Sequence, residues 1–210
     1  MDPNQISRRR LLARLGAGGL ALGVGLPATV AAAQEDEAPA DGEGDAEVAA
    51  LLETLELAAA EFYDEAIAGG KAADPAALAM LSDFGRHHRE HAAAFGDIAG
   101  AQSTGEANRR LLRTFLDQLE QRSSQPEVLR LATDLETAMA STHLATLGDA
   151  KDDATVGALA SILPVEAQHA TAAARVAGLD TERAVPALEN LDLALDVTQY
   201  PATTTTTTTA

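Results

Sequence analysis

Residues 74–100 read DPAALAMLSDFGRHHREHAAAFGDIAG, and this stretch decides the fold. Asp74-Pro75 is a helix opening. The aspartate carboxylate can accept from the free N–H groups of the first turn, and proline at the first helical position lacks an N–H that would be unpaired anyway. Gly100 closes the helix. Between them Leu81, Phe84, His88, His91, Phe95 and Ile98 step by three and four residues, so they share one face. Two imidazoles therefore sit in the middle of an apolar stripe, on the side a helix turns toward its partners.

The same pattern spreads outward. A helix is predicted over about 46–68, stopped by Gly69-Gly70. An amphipathic piece follows Gly100 over 106–122. A third long helix opens at Gln125-Pro126 and ends near Gly148. A fourth opens near Asp152 and ends at Gly178, with Pro164 inside it, where a kink rather than a break is expected because apolar spacing continues on both sides. Short turns join the first helix to the second and the third to the fourth, so each pair is an antiparallel hairpin. About 25 residues with their own helical piece separate the two hairpins. The expected fold is therefore all-α: a four-helix bundle with a long helical crossover between its second and third helices. An up-down bundle with an inserted fifth helix satisfies the same pattern.

Each long helix carries an ionisable group on its apolar stripe. Leu52, Glu56, Ala59, Tyr63 and Ala66 align on the first; Ala132, Glu136, Met139 and His143 on the third; Leu159, Ile162, Glu166, His169, Ala173 and Val176 on the fourth. Buried carboxylates without partners cost several kcal/mol, so such groups need a counter-charge. Glu56, His88, His91, Glu136, Glu166 and His169 would converge at mid-bundle, and a divalent metal is the natural partner for that donor set. The two halves echo one another: Glu56 precedes His88 by 32 residues, and Glu136 precedes Glu166 by 30. All five histidines of the chain lie at or beside this point. His143 stands where the first half has Tyr63, which suits a hydrogen bond to a ligand better than ligation. Tyr63 is read as packed with one satisfied hydroxyl, with a redox role as the alternative. His87 is read as a solvated flank or, with Tyr63 and His143, as a residue that supports the ligands, with ligation or alternation with His91 as alternatives. Glu53, Glu61 and Glu90 are expected to face solvent, and Arg109, Arg110 and Arg113 to form a salt-bridged surface.

On these residues the segment from about Ala46 to Gly178 resembles the ferritin-like superfamily of ferritins, rubrerythrins and di-iron carboxylate oxidases. It is most similar to the twin-arginine-exported bacterial ferritin-like proteins. The family pattern is a glutamate on the first helix, Glu-x-x-His on the second, a glutamate on the third and Glu-x-x-His on the fourth. Glu56, His91, Glu136, Glu166 and His169 match it. The departure is His88, which stands where the family places a metal-bridging glutamate. The resemblance implies iron, as a di-iron pair, or manganese, with ferroxidase or peroxide-consuming chemistry; the departure opens a pair bridged by Glu166, a single metal, zinc, or no metal. The chain would then be a di-metal or mono-metal oxidoreductase, or a non-enzymatic helical envelope protein associated with stress or desiccation. Oligomers, including a storage shell, are compatible with the resemblance, although nothing in the sequence points to shell contacts.

The ends of the chain carry different information. Residues 1–33 hold four arginines and one aspartate, then an apolar Gly/Ala-rich stretch, then Ala31-Ala32-Ala33. That is the layout of an export signal with an A-x-A cleavage pattern, and an uncleaved anchor is the alternative. Ser7-Arg8-Arg9-Arg10-Leu11-Leu12 resembles the twin-arginine motif, which implies the Tat translocation machinery as partner. It also implies a periplasmic, cell-envelope or extracellular location, and no stable membrane span after cleavage. Residues 34–45 read as an acidic disordered linker and 181–210 as an extension ending in a threonine run, Thr203–Thr209. The formal charge is -17 over 210 residues, and the part after residue 33 has 11 basic against 31 acidic residues. Such a surface disfavours nucleic acid. The absence of cysteine excludes thiolate metal sites and disulfides, and leaves glutamate and histidine as the strong ligands. Forty-seven alanines suit closely packed helices.

Overall fold

Among the described residues five α-helices follow the predicted punctuation: α1 (Glu43–Ala68), α2 (Pro75–Ala99), α3 (Arg109–Glu120), α4 (Gln125–Leu147) and α5 (Asp153–Val176). Single 3-10 turns lie at Gly100–Gln102 and Leu191–Leu193. The computed structural model describes residues 43–180, 184 and 190–202. The signal with its Ser7, Arg8, Arg9, Leu11 and Leu12, the linker up to residue 42 and the threonine run lie outside the described residues.

The caps explain where the helices start. Asp74 accepts from the N–H groups of Ala76 (2.9 Å) and Ala77 (3.0 Å). Asn108 accepts from Leu111 N–H at 3.1 Å, and Asp152 from Thr155 N–H at 3.0 Å. Each such cap contributes about 1 kcal/mol. At α4 the donors are satisfied in reverse: Glu127 reaches back and accepts from the N–H and hydroxyl of Ser123, both at 2.8 Å. α5 passes through Pro164 as one helix.

Two boundaries differ from expectation. α1 begins at Glu43, inside the segment read as linker, because Asp45 is buried and its carboxylate accepts from Lys151 N–H at 2.8 Å and from Asp152 N–H in the turn before α5. The crossover helix begins only at Arg109, since Asn108 takes the cap and the preceding residues pair elsewhere.

Side-chain pairings fix the directions. Glu56 meets His88 and Tyr63 meets Phe84, so α1 and α2 run antiparallel. Glu56 also meets His143 and Tyr63 meets Glu136, so α1 and α4 run antiparallel as well. α2 and α4 are therefore parallel, as a long crossover requires. Helix packing follows suit: α1 on α2, α4 on α5, α1 on α4, and α2 on α5. An up-down bundle would instead place α2 beside α4 and α5 beside α1. The crossover helix α3 covers α1 and α4 with Leu111, Leu112, Phe115 and Leu119.

The core is aliphatic at both ends and polar in the middle. Leu52, Leu55, Phe62, Leu81, Phe95, Leu129, Leu135, Met139 and Leu159 are buried, with alanines between them. Small residues let the helices approach closely. At Gly85 an added Cβ would lie 3.1 Å from the Cβ of Tyr63, so glycine there sets how tightly α1 and α2 meet beside the polar layer. Val176, placed on the inward stripe by its spacing, is 49% exposed. It is the last residue of α5, and the inward position passes to the buried Ala177. Among the described residues no helix is long and apolar enough to cross a membrane.

Candidate metal centre

All four long helices send ionisable groups into one buried layer. Glu56 comes from α1, His88 and His91 from α2, Glu136 and His143 from α4, and Glu166 and His169 from α5. Glu56, His88, Glu136, His143 and Glu166 are fully buried; the His91 side chain is 11% exposed. The spacing of i,i+3 puts Glu166 and His169 on one face of α5, as it does His88 and His91 on α2.

His88 lies at the centre. It donates from Nδ1 to Glu56 Oε2 (2.6 Å) and from Nε2 to Glu136 Oε1 (3.0 Å). Where both carboxylates are ionised they only accept, so both ring nitrogens then carry protons and the ring is a cation. Burial opposes that charge, but the neighbouring Glu166, Glu136 and Glu56 outweigh it and hold the His88 pKa well above the usual imidazole range. Reciprocally, burial would raise Glu56 and Glu136, yet His143, His88 and His91 hold Glu56, and His88, Glu166 and His169 hold Glu136, well below the usual carboxylate range.

The Glu136 side of the layer is hydrogen-bonded throughout. Glu136 accepts from the Tyr63 hydroxyl and from His88 at Oε1, and from His169 Nδ1 at Oε2 (3.3 Å). Burial first, then the adjacent Glu136 charge, pushes the Tyr63 phenol well above its usual range, so Tyr63 remains a donor. The Tyr63 ring also stacks on His88, with centroids 5.5 Å apart. His169 Nε2 lies 2.8 Å from His87 Nδ1, and Arg86 donates to His87 Nε2 at 2.9 Å. Arginine can only donate, so the direction of the whole chain is set: Arg86 to His87, His87 to His169, His169 to Glu136.

The Glu56 side is different. Glu56 accepts from His143 Nε2 at 2.7 Å as well as from His88. His91 Nδ1 lies 2.7 Å from Glu166 Oε1 and 3.5 Å from Glu56 Oε2. Despite that ion pair, His91 Nδ1 and both oxygens of Glu166 are buried without a hydrogen bond. Burial, then the Glu136 and Glu56 charges, raises the Glu166 pKa despite the pull of His88. For His91 burial is again outweighed, here by Glu166 and Glu56, and its pKa is lifted to about 9.

These orphaned atoms test whether the residues fit a metal ion, and they do. Two donors each about 2.1 Å from one ion and at right angles to one another lie about 3.0 Å apart. The 2.7 Å contact between His91 and Glu166 is close to that spacing. Two overlapping donor sets can hold an ion: Glu56, His88, His91 and Glu166, and His88, Glu136, Glu166 and His169. Within each set the donor atoms lie within 4.8 Å of one another.

Some residues are placed where spacing alone did not put them. His87 is not a solvated flank: half-buried, it is the hydrogen-bond partner of His169. It precedes His88 by one residue, about 100° around the helix, which turns it from the bundle centre toward α5. Glu53 is 5% exposed rather than solvated, because the loop after α2 folds over it, and Ser103 Oγ (2.6 Å) and Thr104 N–H (3.1 Å) donate to its carboxylate. Glu90 is exposed and pairs with Arg86 at 2.7 Å; Glu61 is half-buried and pairs with Arg109 at 2.8 Å. Arg110 lies over the Tyr200 ring, 5.8 Å from its centroid.

A crossover four-helix bundle that gathers carboxylates and imidazoles from all four helices at one buried layer is, as a class, a ferritin-like metal-site scaffold. The family model for the ferritin-like domain matches residues 44–179, and the chain belongs to that family. Comparison with curated proteins and with solved structures gave no match.

Proposed function

We propose that this is an exported metal-binding protein of the ferritin-like family, whose buried Glu/His layer holds a divalent first-row transition metal. The observation that carries the reading is Glu166: a fully buried carboxylate with neither oxygen in a hydrogen bond, whose nearest partner is the ion-paired His91 Nδ1 at 2.7 Å, itself without one. Glu56, His88, His91, Glu136, Glu166 and His169 are the residues that would hold the metal. Iron or manganese there supplies one-electron redox chemistry toward oxygen or peroxide, and zinc supplies none.

The chain's own residues do the rest. Apolar layers of Leu52, Leu81, Phe95 and Leu159 enclose the polar one and limit access of water. Glu56, Glu136 and Glu166 supply negative charge that offsets a cation's desolvation. His143 orients Glu56, while Tyr63 and His169 orient Glu136, each by a hydrogen bond. Export rests on the twin-arginine-like start, and the Tat route suits a protein whose site is completed before translocation. The test adds Fe(II) and then oxygen or peroxide to metal-free protein and follows oxidation against Glu166→Ala. Faster oxidation in the wild type alone supports a redox role; equal rates leave a binding protein without turnover.

A second reading has its own observation. Glu56 and Glu136 are already hydrogen-bonded, both of them to His88 and each to a further side chain. A metal-free bundle stabilised by that internal ion network, serving as a stress-associated envelope protein, is the alternative.

A further inference from the structure

Building on the metal-binding reading, we infer that the layer holds one ion rather than two, on the Glu56/His88/His91/Glu166 side, with the Glu136 side acting as its hydrogen-bonded support. Three observations carry this. First, His91 Nδ1, which lacks a hydrogen bond, belongs to that set alone, and the Glu166 oxygen it faces at 2.7 Å, from a residue shared by both sets, lacks one too. In the other set Glu136 and His169 have hydrogen-bond partners at every polar side-chain atom.

Second, His88 is shared by both sets but has only two nitrogens. Its Nε2–H is held by Glu136 at 3.0 Å, so Nδ1 is the atom left to face an ion, and Nδ1 points to Glu56 at 2.6 Å and lies 3.7 Å from Glu166. A glutamate at this position could offer one oxygen to each of two ions; a neutral imidazole offers one lone pair. Third, a metal-bound histidine normally donates its remaining N–H to a carboxylate, which fixes the ring and strengthens the ligand. Glu136 stands in that relation to His88, and is itself held by Tyr63 and by the Arg86–His87–His169 chain. Glu136 and His169 thus support a site built from Glu56, His88 and His91 of the first half of the sequence repeat and Glu166 of the second, with two nitrogen and two oxygen donors around one ion.

The experiment is a titration of metal-free, full-length protein with Co(II), with bound cobalt counted per chain after gel filtration. The wild type is expected to bind one ion, with the visible absorption of a low-symmetry mixed nitrogen–oxygen site. His91→Ala is expected to lose it. Glu136→Gln, which still accepts from His88, is expected to keep one ion with affinity weakened about 10- to 100-fold. His88→Glu is expected to bind two, with circular dichroism checking that it folds; Glu136→Gln carries the question alone if it does not. Two ions per wild-type chain, or complete loss of cobalt in Glu136→Gln with binding retained in His91→Ala, overturns the one-ion assignment while leaving metal binding intact. No cobalt in the wild type overturns the metal reading and this assignment with it.

Discussion

Replacing Glu166 by methionine separates the cost of this site from its use. Glu166 is fully buried, both its oxygens lack partners, and its pKa is raised first by burial and then by Glu136 and Glu56. Deleting its unsatisfied oxygens returns roughly 1–3 kcal/mol, but Glu166 also faces His91 at 2.7 Å and helps lift its pKa to about 9, and removing one member of a buried ion pair costs roughly 3–5 kcal/mol. The metal-free variant is therefore expected to be less stable than metal-free wild type by about 2 kcal/mol. At about 4 °C per kcal/mol for a bundle of this size, its Tm falls by roughly 8 °C. Metal widens the gap. An ion at 100 times its Kd stabilises the wild type by about 2.7 kcal/mol, roughly 11 °C, and gives the variant nothing. Calorimetry of chelator-treated samples with and without Mn(II) or Co(II) measures all four values. A metal-free variant that melts above metal-free wild type, or one that gains as much from metal as the wild type does, contradicts this expectation.

Three further predictions concern charge, core and export. Metal-free protein should lose stability as pH rises from 6.5 to about 9: the His91 pKa is raised to about 9, so its contribution is complete below the unfolded value and gone above the folded one. Over the same window the metal-induced rise in Tm should grow, because imidazole ligates only without its proton; paired melts at pH 6.5 and 9 check both trends. Leu159→Ala, at a fully buried position on the α5 stripe, should cost 2–5 kcal/mol (a rough range for such truncations) in urea unfolding with an unchanged m value. Arg8→Lys combined with Arg9→Lys should leave uncleaved, folded protein in the cytoplasm on fractionation, while processing of the double variant at wild-type efficiency would exclude the Tat route.

Much of the bundle is written in its punctuation. Asp74-Pro75, Gln125-Pro126 and Asp152 mark helix starts because capping is local chemistry, settled within one turn. The inward stripes are legible because four helices around one axis each bury one face, so Glu56, His88, Glu136 and Glu166 share a layer by register alone. What escapes is contact made off that axis. His87 points toward α5 from the edge of the α2 stripe, and its partner His169 is 82 residues away in sequence. Glu53 is covered by a loop whose path no periodicity encodes. Asp45 belongs to a segment whose composition reads as linker, yet the turn before α5 supplies two backbone donors to its carboxylate and extends α1.

The central claim is that the Glu/His layer holds metal, and elemental analysis of protein purified without chelator from its native compartment tests it most directly. About one first-row transition-metal ion per chain is expected in the wild type, and none in Glu166→Ala that still folds as a helical bundle. A wild-type protein carrying only trace metal, or a Glu166→Ala protein carrying as much as the wild type, would contradict it.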